Sequence, residues 1–338
     1  SRLPLGCFRH PFGLGYLAAL LTLSVVTPFV FVPDLAIPVV PARLPANAQE
    51  AHGPAIARFA NGIDLLAVSA PATLTAGQTL PITLHWRVER TPPDNAIAYV
   101  HLVGPAGRRL AGSDAIPLEK TYAPTLWQAG EIVDERRSLA APSQLTPGNY
   151  RLDVGLYHLD PTGTRITPVP LEPAGPPDEA ATAVRWQILP DASGLASATP
   201  ISASFGPRLT LLADRVDVSG SSASAHLYWK ATAPISRRLV VSVQALDARG
   251  RLVAQNDSEP VSGLLSTTTW RPGDVIADDH PIQLPAGADP PSRYIVAVYD
   301  RQTLARLGVA ESGRPAGDHV TLAVTPAARR ALNPDEGS

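Results

Sequence analysis

Methionine is absent from the 338 residues, and cysteine occurs once, as Cys7. One thiol cannot close an internal disulfide, so packing alone has to hold the fold. Charged residues make up 17% of the chain, the net charge is −2 and the pI is about 6.4. That balance draws the chain neither to nucleic acid nor to anionic lipid. Signatures of chemistry are missing too: there is no Gly-rich phosphate loop, no Gly-x-Ser-x-Gly elbow and no His-Glu-x-x-His. His85, His101, His158, His226 and His280 fall at no metal-ligand spacing. Glu131 and Glu135 lie where a strand is expected and read as solvent-facing acids. The expectation is a chain that is not itself an enzyme, with no catalytic residue, no cofactor and no metal. A start at Ser1 without methionine further suggests a piece of a longer protein.

Proline is plentiful at 36 residues and glycine adds 25. This composition resists long helices and suits short strands joined by many turns. One stretch is said twice: Ala123–Glu135, APTLWQAGEIVDE, and Ser266–Asp278, STTTWRPGDVIAD. Sliding the chain by 143 residues lays Trp86 on Trp229, Gly107 on Gly250, Asp114 on Asp257, Pro117 on Pro260, Trp127 on Trp270 and Gly130 on Gly273. Rare residues carry the match, so two copies of one domain are expected. Small drifts, such as Tyr157 on Tyr299 at 142, belong in loops.

Taken in order, 1–10 reads as a cytoplasmic stub and 11–33 as a transmembrane helix. The latter is uncharged and as a helix would span about 35 Å against a bilayer core of about 30 Å. Basic residues before it place the N-terminus inside and the remainder outside, giving a single-pass cell-membrane protein with the bilayer as a partner. A signal peptide cleaved near Ala46-Asn47-Ala48 is the rival, and its site lies far from the apolar run. Residues 34–55 read as a Pro-rich linker, 56–189 as a first β-sandwich, 190–204 as a second linker, 205–325 as a second sandwich and 326–338 as a polar tail.

Alternation defines the strands. Ile82, Leu84 and Trp86 share one face and Thr83, His85 and Arg87 the other. In the second copy Ala225, Leu227 and Trp229 point inward, with His226, Tyr228 and Lys230 outward. The fold class expected is all-β, two tandem immunoglobulin-like β-sandwiches after one transmembrane helix, with a barrel as the alternative. Four residues stand out as ligand-facing. Trp127 and Trp270 could stack on a sugar ring or plug one end of a sandwich. Asp114 and Asp257 could accept from a ligand or cap their own turn. A calcium site would need more oxygens than Asp278 and Asp279 offer.

The segments YVHLVGPAGRRLAGSDAIP (Tyr99–Pro117), APTLWQAGEIVDE, LTPGNYRLDVGLYHLD (Leu145–Asp160) and VSVQALDARGRLVAQNDSEP (Val241–Pro260) resemble the extracytoplasmic tails of certain bacterial glycosyltransferase-like membrane proteins. These are of the dolichyl-phosphate-mannose mannosyltransferase type. The resemblance implies a non-catalytic C-terminal region that positions or recognises a glycan or an envelope protein. A stand-alone surface protein acting as a binding or spacer module is the alternative.

Overall fold

The computed structural model describes residues 42–44, 46–163, 166–172, 180–287 and 291–324. The first half holds strands β1 (Ala42–Arg43), β2 (Ala57–Arg58), β3 (Ile63–Ser69), β4 (Thr79–Val88), β5 (Ile97–Val103), β6 (Arg109–Ala115), β7 (Ile132–Ala140), β8 (Gly148–Leu159), β9 (Ile166–Pro168) and β10 (Ala180–Ile188). The second holds β11 (Thr199–Phe205), β12 (Leu209–Ser219), β13 (Ser222–Ala231), β14 (Leu239–Leu246), β15 (Leu252–Ser258), β16 (Val275–Gln283), β17 (Arg293–Asp300), β18 (Val309–Glu311), β19 (Arg314–Gly317) and β20 (His319–Thr321). The chain is all-β.

Each half is a β-sandwich of two antiparallel sheets. Sheets ordered β1-β7-β4-β3-β2 and β10-β8-β5-β6 form the first, with β9 beside β8. Sheets ordered β16-β13-β12-β11-β18-β19 and β15-β14-β17-β20 form the second. One core fills each sandwich. Trp86 and Leu84 meet Val100, Leu152 and Val154 in the first, and Trp229 and Leu227 meet Val243 and Val296 in the second. Burying side chains of this size contributes roughly 1.5–3 kcal/mol each. The repeat extends to packing. Phe59 meets Trp86 edge-on at 6.2 Å, and Phe205 meets Trp229 edge-on at 5.3 Å. A register shift also falls at Leu65/Ala67 in one copy and at Leu211/Ala213 in the other.

Alternation places the inward sets correctly, but two side chains on the outward faces are covered and one acid faces inward. Arg87 is buried because its guanidinium pairs with Asp64 at 2.5 Å and donates to the Gly53 carbonyl at 2.7 Å. That carbonyl lies just past a short helix, α1 (Ala48–His52), capped by Asn47. Tyr228 is buried beside Gly194, where a Cβ would come within 2.2 Å of its hydroxyl. Glu135, expected to face solvent, is buried between Trp86 and Arg137. Segments expected as linkers thus carry structure: β1 pairs with β7, and β11 begins at Thr199.

The membrane reading is corrected. No helix among the described residues is long and apolar enough to cross a membrane, so the transmembrane segment, the bilayer as partner and the single-pass cell-membrane placement are withdrawn. Residues 11–33 themselves lie outside the described residues, as do 1–10 and 326–338.

Among the described residues one buried acid has no Arg, Lys or His beside it. Asp214 on β12 accepts from the Ala323 amide at 2.5 Å, while its second oxygen has no partner among the described residues. Burial pushes its carboxyl up to about 6.

Candidate functional site

The repeated Trp-x-x-Gly segment is a turn, and its chemistry is internal. A short 3₁₀ turn precedes each Trp, at Pro124–Leu126 and Thr267–Thr269. Both indoles are buried and donate to backbone carbonyls, Trp127 to Tyr122 at 2.7 Å and Trp270 to Leu265 at 3.1 Å. Gly130 and Gly273 sit at φ +88° and +97°, which an L side chain rarely adopts. The following acid closes the turn: Glu131 accepts from the Gln128 amide and Asp274 from the Arg271 amide, each at 2.9 Å. Neither Trp has an open face for a sugar, so the two tryptophans leave the ligand-facing set as end plugs. The Asp278-Asp279 pair is also committed, to His280 at 2.9 Å and to His226 at 2.7 Å.

Asp114 lies elsewhere, on the outer face of the first sandwich. It stands on β6 directly across from Tyr99 of β5, which in turn stands across from Gly155 of β8. The hydroxyl end of the Tyr99 ring lies against Gly155, where a Cβ would come within 2.3 Å of its oxygen. His101 stacks on Tyr99 at 4.5 Å and 28°, and Tyr157 flanks it at 6.1 Å and 36°. Asp114 joins the rings: His101 Nε2 lies 2.9 Å from one carboxylate oxygen, and the Tyr157 hydroxyl donates to the other at 3.3 Å. Burial, then the charge of Asp114, hold the Tyr157 phenol above its usual range, so it stays a donor at neutral pH. Three half-exposed rings thus form an aromatic shelf in which Tyr99 and His101 pack face to face, Tyr157 tilts beside them and an acid sits at the edge. A carboxylate has about four acceptor positions and the two contacts leave capacity for a ligand hydroxyl.

The second copy keeps the acid and loses the shelf. Asp257 again stands across from β14 and takes the Tyr299 hydroxyl at 3.4 Å. Ser242 replaces Tyr99, Gln244 replaces His101 and Ala297 replaces Gly155. Beside them Glu259 is gripped by Arg238 at 3.0 Å and by Arg301.

A third grouping is invisible in sequence because its members are 16 and 49 residues apart. Ser69 Oγ lies 2.8 Å from His85 Nε2, and His85 Nδ1 lies 2.7 Å from Asp134. The order matches a hydrolytic triad. The setting differs: the three sit side by side on neighbouring strands β3, β4 and β7 of one sheet. Acyl transfer also needs free N–H groups aimed at the developing oxyanion. We read the row as a cross-strand polar pair with a serine attached.

Of the residues singled out in the sequence, the structure brings Asp114 into a cluster with Tyr99, His101 and Tyr157, which sequence reasoning missed. The signal was two tyrosines and a histidine at outward positions opposite a strand glycine. No protein-family model matches the chain, and no curated protein matches it. Among solved structures, the crystal structure of the C-terminal domain of wzt is similar at 16% identity and a TM-score of 0.30. The match covers 44% of this chain and 90% of that one.

Proposed function

We propose that this chain is a recognition module that binds a glycan on the outer face of its first sandwich. The observation that carries the reading is the shelf of Tyr99, His101 and Tyr157 with Asp114 at its edge. A pyranose presents apolar C–H surface on its faces and hydroxyls around its rim. Aromatic faces take the first, and an acid beside them takes the second. Buried indoles and the ion-paired face of the second sandwich offer no comparable surface, so the binding is assigned to the first copy.

The finer architecture is that of tandem immunoglobulin-like domains. The neighbour order β7-β4-β3 facing β10-β8-β5-β6 supports this, as does Tyr150, whose hydroxyl donates to the Thr146 carbonyl at 2.8 Å at the start of β8. The wider setting, from the sequence resemblance, is the non-catalytic part of a glycosyltransferase-like protein, with the sandwiches presenting or holding a glycan.

The test is binding of the full chain to an array of bacterial oligosaccharides, followed by titration of the hits. Tyr99→Ala and Tyr157→Ala should each weaken binding about tenfold or more, within the range of one stacked ring, without lowering the melting temperature appreciably. Unchanged affinity in both variants, or an array with no hit, overturns the reading.

A further inference from the structure

The shelf does not end at Asp114. Side chains alternate along β8, so Tyr157, Gly155, Asp153, Arg151 and Asn149 face the same way. Their neighbours on β10 continue that face: Thr182 lies across from Asp153, Arg185 across from Arg151 and Gln187 across from Asn149. From Tyr157 to Asn149 the face runs for roughly 26 Å at the rise of an antiparallel strand. At its far end the second sandwich closes over it. Asn149 donates to the Thr269 hydroxyl at 3.1 Å, and Gln187 donates to the Thr269 carbonyl at 3.0 Å. Gly148 lies at the same join, where a Cβ would meet the Pro105 ring at 2.5 Å and the Leu264 carbonyl at 3.2 Å.

The closure leaves a cleft of about 350 Å³ between Asn149, Gln187 and Thr269, walled by Arg151, Arg185 and Arg271, with the core-facing Tyr150 and Trp186 behind it. The three guanidinium groups differ in commitment. Arg151 spends its Nε on Asp153 at 2.7 Å. Arg185 and Arg271, one from each sandwich, have no side-chain hydrogen bond or ion pair among the described residues. Two uncommitted forks in one recess, beside the Asn149 and Gln187 amide groups, match a planar or tetrahedral oxyanion.

We propose that this cleft takes the acidic substituent, a carboxylate or a phosphate ester, of a glycan whose neighbouring rings lie on the shelf. The inference rests on the glycan reading above and narrows it to acidic glycans. It also makes the ligand span both sandwiches.

The experiment compares three sets of probes on the full chain: neutral, uronate-bearing and phosphate-bearing oligosaccharides of matched backbone. The acidic members should bind about tenfold tighter or more, one charge-assisted pairing's worth. The uronate and phosphate arms decide which oxyanion the cleft prefers. In R185A/R271A the acidic advantage should vanish while neutral affinity stays, and R185E/R271E should reject acidic members yet keep neutral ones. Both arginines are exposed, and an unchanged melting temperature shows the variants folded. Wild-type indifference to charge, or an acidic advantage that survives R185A/R271A, overturns the cleft while the shelf stands. No binding by any probe overturns both.

Discussion

Trp86 donates its indole N–H to Glu135 at 2.9 Å, inside the first sandwich and far from solvent. Arg137 holds the other carboxylate oxygen at 2.6 Å. At the matching step of the second copy stands Asp278, one methylene shorter, which pairs with His280 and the Val261 amide and leaves the Trp229 indole without a partner among the described residues. Removing Glu135 therefore strands two donors at once. Glu135→Ala should destabilise the first sandwich by roughly 3–5 kcal/mol, in line with breaking a buried pair. Glu135→Gln, which keeps an acceptor for Trp86, should lose less. Denaturant unfolding of both variants checks the order.

Asp214 makes stability depend on pH with a sign opposite to that of most acids. Its folded value of about 6 lies above an ordinary aspartate near 3.9, so the unfolded chain gives up the proton first. The group favours the folded state fully below about pH 4 and loses that contribution as pH rises through 6. Its size is on the order of 2 kcal/mol. Asp247, Asp300 and Asp318, all held low, first by hydrogen bonds to their carboxylates, act the other way as pH falls. The readout is thus the wild type minus Asp214→Asn: the difference in unfolding free energy should grow by that amount between pH 8 and pH 4.5. A difference independent of pH would show that burial does not raise the carboxyl above its unfolded value.

Trp127→Ala and Trp270→Ala should each cost about 3–5 kcal/mol of stability, because each ring fills one end of a core. Glycan affinity at a temperature where the Trp270→Ala variant is still folded should stay at the wild-type level.

Gly155→Ala tests the shelf from beneath. A methyl group there meets the Tyr99 ring and has to lift it from β8. Glycan binding should fall about tenfold, a loss of roughly 1.4 kcal/mol, with little change in melting temperature since the strand pairing is untouched.

Ser69 should resist a fluorophosphonate probe. If the His85–Asp134 pair is a cross-strand contact with a serine attached, incubation followed by mass spectrometry should find Ser69 unmodified. Stoichiometric labelling that disappears in His85→Ala would instead make the row a hydrolytic centre.

Much of the fold was legible in the sequence. The repeat, the strand alternation and the inward sets around Trp86 and Trp229 follow from spacing alone, because a sandwich core imposes period two on every strand. What stayed hidden were cross-strand meetings. Arg87 and Tyr228 look outward locally, and only distant segments cover them. Glu135 falls at an inward position opposite Leu84, where an acid is not expected, and Trp86 and Arg137 satisfy it there. The site failed to appear for the same reason. Tyr99, Asp114 and Tyr157 are far apart in sequence, and their conjunction is a matter of register. The conspicuous tryptophans drew attention because a turn motif repeats strongly, and repetition here marks construction rather than contact.

Duplication copied the scaffold of this chain without copying its shelf: Ser242 and Ala297 stand where Tyr99 and Gly155 meet. A polymer made of identical units would be held at a single point per molecule. Avidity toward such a polymer would have to arise from several molecules gathered along it, so the local concentration of the protein, and not the length of the glycan, would set how firmly the two stay together.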